Sequence, residues 1–207
     1  MISVMKRDPS YFSYTRNTGW IDRRFERGNC ATAATDRRHL LNISGEAATP
    51  EFSNTTLRAV ASGWRFSPIF RVISGSYVSI TTSTDRALDA TPNQKVNQIL
   101  GNPYGDKSIN RYLNPAAFEL PAAGTRGTTG RASIAGPGTW QFDLAVSRTF
   151  QVREGQKLEF RAEAFNVTNA FRMDASKLTT NLNSGNFGQV TGALDPRIMQ
   201  FALKYVF

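Results

Sequence analysis

The final stretch of the chain, residues 197–207, reads RIMQFALKYVF and strictly alternates two kinds of side chain. Successive side chains of an extended strand point to opposite sides of a sheet. One side therefore carries Met199, Phe201, Leu203, Tyr205 and Phe207, while the other mixes Gln, Lys and small residues. The pattern predicts a strand with one wholly apolar face. Taken alone, it suits a soluble β-sandwich and a membrane barrel equally.

Composition narrows the choice only slightly. Hydrophobic residues make up 40% of the 207 positions, and the mean hydropathy is −0.36. These values do not exclude a membrane barrel, because its lipid-facing and lumen-facing residues alternate and average out. No apolar run of about 18 residues exists, which excludes a transmembrane helix. The amino terminus lacks the apolar core of a signal peptide, so we expect either a cytosolic protein or an export signal further upstream.

Charge and reactive side chains argue against catalysis. The net charge of +9 permits contact with anions, but the basic residues are scattered and no nucleic-acid motif accompanies them, so no nucleic-acid partner is expected. A single cysteine, Cys30, and a single histidine, His39, give neither a disulfide nor a metal cluster. We therefore expect no enzyme activity, no catalytic residue, no cofactor and no metal.

Alternation recurs along the chain and predicts about six strands. They lie near 11–18, 37–48, 57–74, 140–152, 157–167 and 197–207. Pro68 lacks a backbone donor, so a bulge or bend is expected at that position. For the strands around the turn at 153–156, joining the two apolar faces requires paired residue numbers with an even sum, so the loop should hold three or five residues. Pairing near Leu144 with Ala164 and Phe150 with Leu158 satisfies this condition. A slip of one residue would turn the charged side chains to the apolar side.

The connections between these strands alternate in length. Polar stretches at 19–36, 75–139 and 168–196 are long and without period, whereas the turns at 49–56 and 153–156 are short. In an antiparallel meander this places every long loop at one end. A structureless connection as long as 75–139 is unusual in a compact domain but normal for the outer loops of a membrane barrel. We therefore predict an all-β, antiparallel up-and-down meander that forms part of a transmembrane β-barrel.

Charged side chains on the strands suggest structural roles. Asp143, Glu159, Arg161 and Glu163 share the polar face and predict a ladder along a lumen wall, with a catalytic acid pair as the weaker alternative. Arg148 is the exception on the apolar face and is expected to reach the membrane interface. In the first long loop, Arg23, Arg24 and Arg27 are candidates for contact with the phosphates of outer-surface glycolipid.

Several motifs together resemble one family. They are DRRHLLNISG at 36–45, LNPAAFELPAAGTRGTTGRASIAGPGTWQFDLAVSRTF at 113–150, FRAEAFNVTN at 160–169 and FGQVTGALDPRIMQFALKYVF at 187–207. This succession, which covers roughly residues 10–207, is similar to the carboxy-terminal barrel region of TonB-dependent outer-membrane receptors. The similarity is greatest to the large receptors with an amino-terminal carboxypeptidase-regulatory-like domain.

The resemblance implies a barrel of the 22-stranded, plugged class with its carboxyl terminus in the periplasm. It makes Phe201, Leu203, Tyr205 and Phe207 the signal read by the barrel-assembly machinery. Outer-membrane lipid, the remainder of the receptor with its plug, and an inner-membrane energy-coupling complex are the implied partners. The plug and the coupling segment are missing from these 207 residues. We therefore expect a fragment of a longer receptor that transports nothing alone.

Two functions remain open from the sequence. The first is a wall-and-loop segment of a receptor that takes up a bulky nutrient, with loops 75–139 and 168–196 recognising the ligand. The second is a soluble secreted or surface β-domain that binds a partner through its loops. They differ in what covers the apolar face of the strands, which is lipid in the first and protein in the second.

Overall fold

The computed structural model describes residues 2–6 and 37–207, and its largest element is one antiparallel sheet. The sheet has seven strands in the order β1-β2-β4-β11-β12-β13, with β3 beside β4. Its strands are β1 (Ile2–Lys6), β2 (His39–Ser44), β3 (Ala47–Ala48), β4 (Trp64–Ile73), β11 (Thr139–Arg153), β12 (Gln156–Phe165) and β13 (Ile198–Val206). Successive strands pair with each other, which confirms the predicted all-β meander. The sheet is open.

The structure near the amino terminus differs from the prediction in the one strand that is described there, β1. The predicted strand at 11–18 and loop at 19–36 lie outside the described residues. Strand β1 was not predicted, and it pairs with β2 from Ile2 opposite Ile43 to Lys6 opposite His39.

The hairpin between β11 and β12 has the predicted register. Leu144 pairs with Ala164 and Phe150 with Leu158. The register shifts between Gln151 and Arg153, so a bulge leads into the turn, and Gly155 adopts a φ of 78°. A left-handed glycine at this point closes the turn without steric cost. The predicted loop of three or five residues is wrong, because Arg153 pairs with Gln156 beyond the shift and the turn holds only Glu154 and Gly155.

The predicted strand over 57–74 is wrong in its first part. Thr55–Ala61 forms a helix, α1, and β4 begins only at Trp64. The Asn54 side chain accepts hydrogen bonds from the backbone amides of Thr56 and Leu57, which caps the amino end. Gly63 has a φ of 76°, the left-handed conformation that commonly ends a helix. The predicted short turn at 49–56 is consequently part of a longer connection, 49–63.

Pro68 causes no bulge in its own strand, so that part of the expectation is wrong. The pairing of β4 with β11 runs without a shift from Ile73 opposite Thr139 to Trp64 opposite Arg148. The interruption falls in the neighbouring strand instead, between β2 and β3. There the Gly45 amide donates to the Pro68 carbonyl at 3.2 Å, but proline has no amide to return the bond. Only one half of a ladder pair can form, and the pairing breaks around it.

The two long connections fold together into a compact unit, which we call the cap (residues 74–138 and 166–197). Its short strands are β5 (Tyr77–Val78), β6 (Thr81–Thr82), β7 (Gln94–Lys95), β8 (Asn97–Gln98), β9 (Phe118–Glu119) and β10 (Ile134–Ala135), with 3-10 turns at Pro115–Ala117 and Ala175–Lys177. Its core consists of Ile80, Val96, Tyr112, Leu113, Ala117, Phe118, Ile134, Leu178, Phe187 and Val190. The expectation that 75–139 has no structure is therefore wrong.

Backbone hydrogen bonds join the two halves of the cap. The Leu113 amide donates to the Gly188 carbonyl at 3.0 Å, and the Val190 amide donates to the Ile109 carbonyl at 2.8 Å. Within the first half, a side chain at Gly127 would clash with the backbone, because its Cβ would lie 2.3 Å from the Lys95 carbonyl oxygen. Such close backbone contacts, rather than long strands, hold the segments of the cap together.

The cap and α1 lie at opposite ends of the sheet. β4 ends and β11 begins at the cap end, as do the end of β12 and the start of β13. The hairpin turn after β11 and the connection that contains α1 lie at the other end. The prediction that the long loops share one end is thus confirmed for the two described loops. None of the helices in 37–207 has the length and apolar composition needed to cross a membrane.

A matched pair of leucines tests the cap core. Leu113 is 0% exposed, whereas Leu88 is 72% exposed. We expect Leu113→Ala to destabilise the cap by about 2–5 kcal/mol, because it removes buried methyl groups and leaves a cavity. Leu88→Ala should change stability by no more than about 0.5 kcal/mol. Limited proteolysis of the folded protein at increasing urea measures both; equal cleavage of the two variants would show that the cap has no cooperative core.

Candidate functional site

The sheet separates its side chains into two faces. We call the apolar face the side that carries Leu41, Ile43, Trp64, Phe66, Phe70, Val72, Trp140, Phe142, Leu144, Val146, Phe150, Leu158, Phe160, Met199, Phe201, Leu203 and Tyr205. The polar face is the opposite side, with Asn42, Arg65, Ser67, Arg71, Gln141, Asp143, Ser147, Thr149, Glu159, Arg161, Glu163, Gln200 and Lys204. The pairings align the two sets across all the strands, so one barrel wall would have one lipid side and one lumen side.

None of the described side chains of the apolar face is buried. Every buried apolar side chain in 37–207 lies in the cap, and none lies on the sheet. The rings and leucines of the last strand are exposed, including Phe201, Leu203, Tyr205 and Phe207. In water such a face would aggregate, whereas in a bilayer it is the surface that contacts acyl chains.

The predicted polar ladder is mainly a feature of β12 and β13. Arg161 forms an ion pair with Glu163, and the Gln200 side chain donates a hydrogen bond to the same carboxylate. Glu159 lies opposite Lys204 in the register. Alternating signs offset the repulsion between the two glutamates, as expected for a wall that faces water. Arg161, Glu163 and Gln200 line a shallow groove together with Phe201 and Ala202.

Asp143 shares that face but lies apart from the other three, at the cap end of β11. Its Oδ1 accepts hydrogen bonds from the Gln141 side chain at 2.6 Å and from the Asn166 amide at 2.9 Å. Asn166 is fully buried with a φ of 52°, and its side chain bonds both backbone groups of Ala170. Asp143 therefore fixes the turn by which β12 enters the cap.

Arg172 extends this cluster into the cap. Its guanidinium donates to the Gln141 side chain and, at 2.8 Å, to the Asp195 carbonyl just before β13. Arg172 is buried, and its Nε has no hydrogen-bond partner in the described structure. We call Gln141, Asp143, Asn166 and Arg172 the junction. Since Gln141 and Asp143 lie on the polar face, the second half of the cap is attached to that face of the sheet.

Electrostatics within the cap stabilise its turns. The Ala90 amide donates to the Asp85 carboxylate at 2.9 Å, and this bond is the main cause that lowers the pKa of Asp85. Burial raises the pKa of Tyr112 to about 12, and its hydroxyl donates to the Ala135 carbonyl at 3.2 Å. Both groups hold the backbone of the cap. In 37–207, no three His, Cys, Asp or Glu side chains are placed to hold a metal ion.

Arg148 lies on the apolar face, as predicted, but its guanidinium is bound by protein. It donates to the Val60 carbonyl at 2.9 Å and contacts the carbonyls of Arg58 and Ala59, the last turn of α1. It also stacks over the rings of Trp64 and Phe150 at 5.3 and 4.6 Å from their centroids. Carbonyls at a helix end have no partner within the helix, so the guanidinium and the helix satisfy each other.

Comparison with known proteins identifies the family of this chain. Residues 4–200 match the model of a family described as outer membrane beta barrel domain. The chain belongs to this family. It is accordingly an outer-membrane protein, and the uncovered apolar face is the side that meets lipid. Searches of the curated proteins and of the solved structures found no significant match.

The predicted glycolipid contacts stay untested, whereas the junction is a feature that the sequence analysis did not predict. Arg23, Arg24 and Arg27 lie outside the described residues, so that contact stays a prediction. The junction was missed, although FNVTNAFR at 165–172 holds a usable signal. Asn166 and Asn169 both adopt positive φ angles, and asparagine tolerates that conformation better than most residues. Two asparagines directly after an alternating strand indicate an ordered turn.

Removing the Arg172 guanidinium should loosen the junction. We expect Arg172→Met to raise hydrogen exchange in 190–197, because the Asp195 carbonyl and the Gln141 side chain lose a charged donor, at a cost of about 1–3 kcal/mol. Arg131→Met, which removes an exposed cap arginine, is the control and should leave that segment unchanged. Exchange that rises equally in both variants would show that net charge, and not the junction, holds the segment.

Proposed function

We propose that the chain supplies wall and cap to a TonB-dependent outer-membrane receptor that takes up a bulky nutrient. Membership of the outer membrane beta barrel domain family supports the barrel and its location. The motifs that resemble the carboxy-terminal barrel of such receptors support the finer assignment. In this proposal the sheet is a passive wall, and the chain catalyses no reaction.

The observation that carries the proposal is the folded cap attached to the polar face. Here two long connections share one core and are fixed through the junction to residues of the polar face. A rigid, side-chain-rich surface above a lumen is suited to selecting a large solute. Ligand recognition is accordingly assigned to the cap, and the ladder of Glu159, Arg161 and Glu163 to the water-facing wall.

The remaining partners follow from the same assignment. The exposed Phe201, Leu203, Tyr205 and Phe207 are the residues that we assign to recognition by the barrel-assembly machinery. A plug and an inner-membrane energy-coupling complex complete the proposed transport cycle. A soluble secreted or surface β-domain was the competing function, and the family match to an outer-membrane barrel argues against it.

Cysteine labelling tests the orientation that this function requires. In a Cys30→Ser background, Leu88→Cys places a thiol on the exposed cap, and Glu154→Cys places one in the turn after β11. We expect a membrane-impermeant maleimide to label position 88 on intact cells and position 154 only after the outer membrane is permeabilised. The Cys30→Ser parent measures background labelling. Labelling with the opposite sidedness would put the cap in the periplasm and end the receptor proposal.

Energy coupling is tested with the complete protein. We expect it to bind the purified periplasmic domain of the energy-coupling protein saturably, while a porin from the same membrane does not. Mass spectrometry of spent medium should then identify a compound that is consumed by wild-type cells but neither by cells that lack this gene nor by cells that lack the coupling protein. A compound consumed without the coupling protein would make the barrel a passive channel.

A further inference from the structure

Helix α1 lies outside the wall, on the lipid side. Its last carbonyls are bound by Arg148, a residue of the apolar face, and the Val60 carbonyl also accepts the Trp64 Nε1–H at 2.8 Å. Trp64 packs edge-on against Phe160, another apolar-face ring, with centroids 6.5 Å apart. The carboxyl end of α1 is thus fastened to the side of the sheet that meets lipid.

The height of this contact matches the edge of the apolar band. From Trp140 to Phe150 the apolar face of β11 extends ten residues, or about 33 Å along the strand. With the strand tilt of membrane barrels, this corresponds to a height of about 25 Å, the usual thickness of the lipid-facing band. Trp140 marks the cap end of the band, and Phe150, Arg148 and Trp64 mark the other end, where α1 lies.

Two apolar side chains of α1 are left uncovered. Leu57 is 51% and Val60 65% exposed, and the helix buries none of its residues. Positions three apart lie on the same side of a helix, so the two form one apolar strip. Thr55 and Arg58 lie on other sides. No described residue buries this strip, and the helix that carries it is fastened at the end of the lipid-facing band opposite the cap.

We propose that α1 is an interfacial anchor whose apolar strip inserts into the phospholipid leaflet at the end of the barrel opposite the cap. Leu57 and Val60 contact the acyl carbons nearest the lipid headgroups, as in amphipathic helices that lie in the plane of a membrane. Arg148 holds the helix at that depth. A guanidinium at the edge of hydrocarbon would otherwise need water or lipid phosphate, and the helix carbonyls replace both. The proposal rests on outer-membrane location and not on energy coupling.

The experiment places a fluorophore on the strip and on the opposite side of α1. In a Cys30→Ser background, Leu57→Cys and Thr55→Cys are labelled with an environment-sensitive dye, and the complete protein is reconstituted in phosphatidylethanolamine–phosphatidylglycerol vesicles. We expect doxyl groups near the lipid headgroup to quench position 57 more than doxyl groups near the chain end. Iodide in the water should quench position 57 at least about threefold less than position 55.

Arg148→Lys tests the role of the guanidinium. One ammonium group has no planar fork with which to reach successive carbonyls, so α1 should detach and position 57 should become as accessible to iodide as position 55. Retained heat-modifiable migration on gels shows that the variant barrel is folded. If it is not folded, the comparison of positions 57 and 55 in the native sequence still decides the proposal.

Two results would overturn the anchor. Equal iodide quenching at 57 and 55 with no quenching by doxyl lipid would place α1 in water. Protection from iodide without lipid quenching, together with energy transfer between differently labelled copies, would show that a second protein molecule covers the strip. Neither result affects the energy-coupling assay, so failure of the anchor and failure of the receptor proposal can be told apart.

Discussion

A single antiparallel register aligns the apolar side chains of four strand pairings on one side of the sheet, and the rest of the molecule is arranged around that alignment. Because side chains alternate strictly along each strand, a slip of one residue anywhere would bring Arg161 or Glu163 into lipid and Leu144 or Phe160 into the lumen. The cost of a misplaced charge in hydrocarbon is several kcal/mol, far above the cost of a local distortion. The register consequently continues unchanged past Pro68, and it shifts only after Gln151, next to the turn.

Pro68 lacks a backbone amide, and the sheet accommodates this missing donor at one of its shorter pairings. Its missing amide points toward β2 and β3, so the loss falls on a short outer pairing, and the long pairing with β11 continues unchanged. The bulge after Gln151 is likewise placed at the turn, beyond the aligned region. The strand β13 forms an edge of the sheet and has no partner on its outer side among the described residues. In lipid the backbone groups along an open edge need partners, so β13 requires another strand on its outer side.

The strands were predictable because their determinants are local, and the cap was not because its determinants are distant. Alternation alone located β11, β12 and β13 and the pairing of Leu144 with Ala164. Leu113, Val190 and Ile80 come from separate segments with no shared period, so nothing short of the fold reveals that they meet. Helix α1 was missed for another reason. Val60 and Trp64 lie at even positions and mimic a strand, although Asn54 and Gly63 are the usual start and stop signals of a helix.

Arg148 connects these two levels. In the sequence, Arg148 interrupts an otherwise apolar face. In the structure, it binds the carboxyl end of a helix of seven residues and so stabilises that helix. So short a helix is unstable in isolation, because nucleation is costly and its terminal carbonyls stay unsatisfied. The Arg148 guanidinium at that end supplies the missing donors, while the helix supplies the acceptors that a cation at the edge of lipid lacks. Arg148, the exception to the alternation, is thus bound by the helix that the alternation did not predict, and each satisfies polar groups of the other.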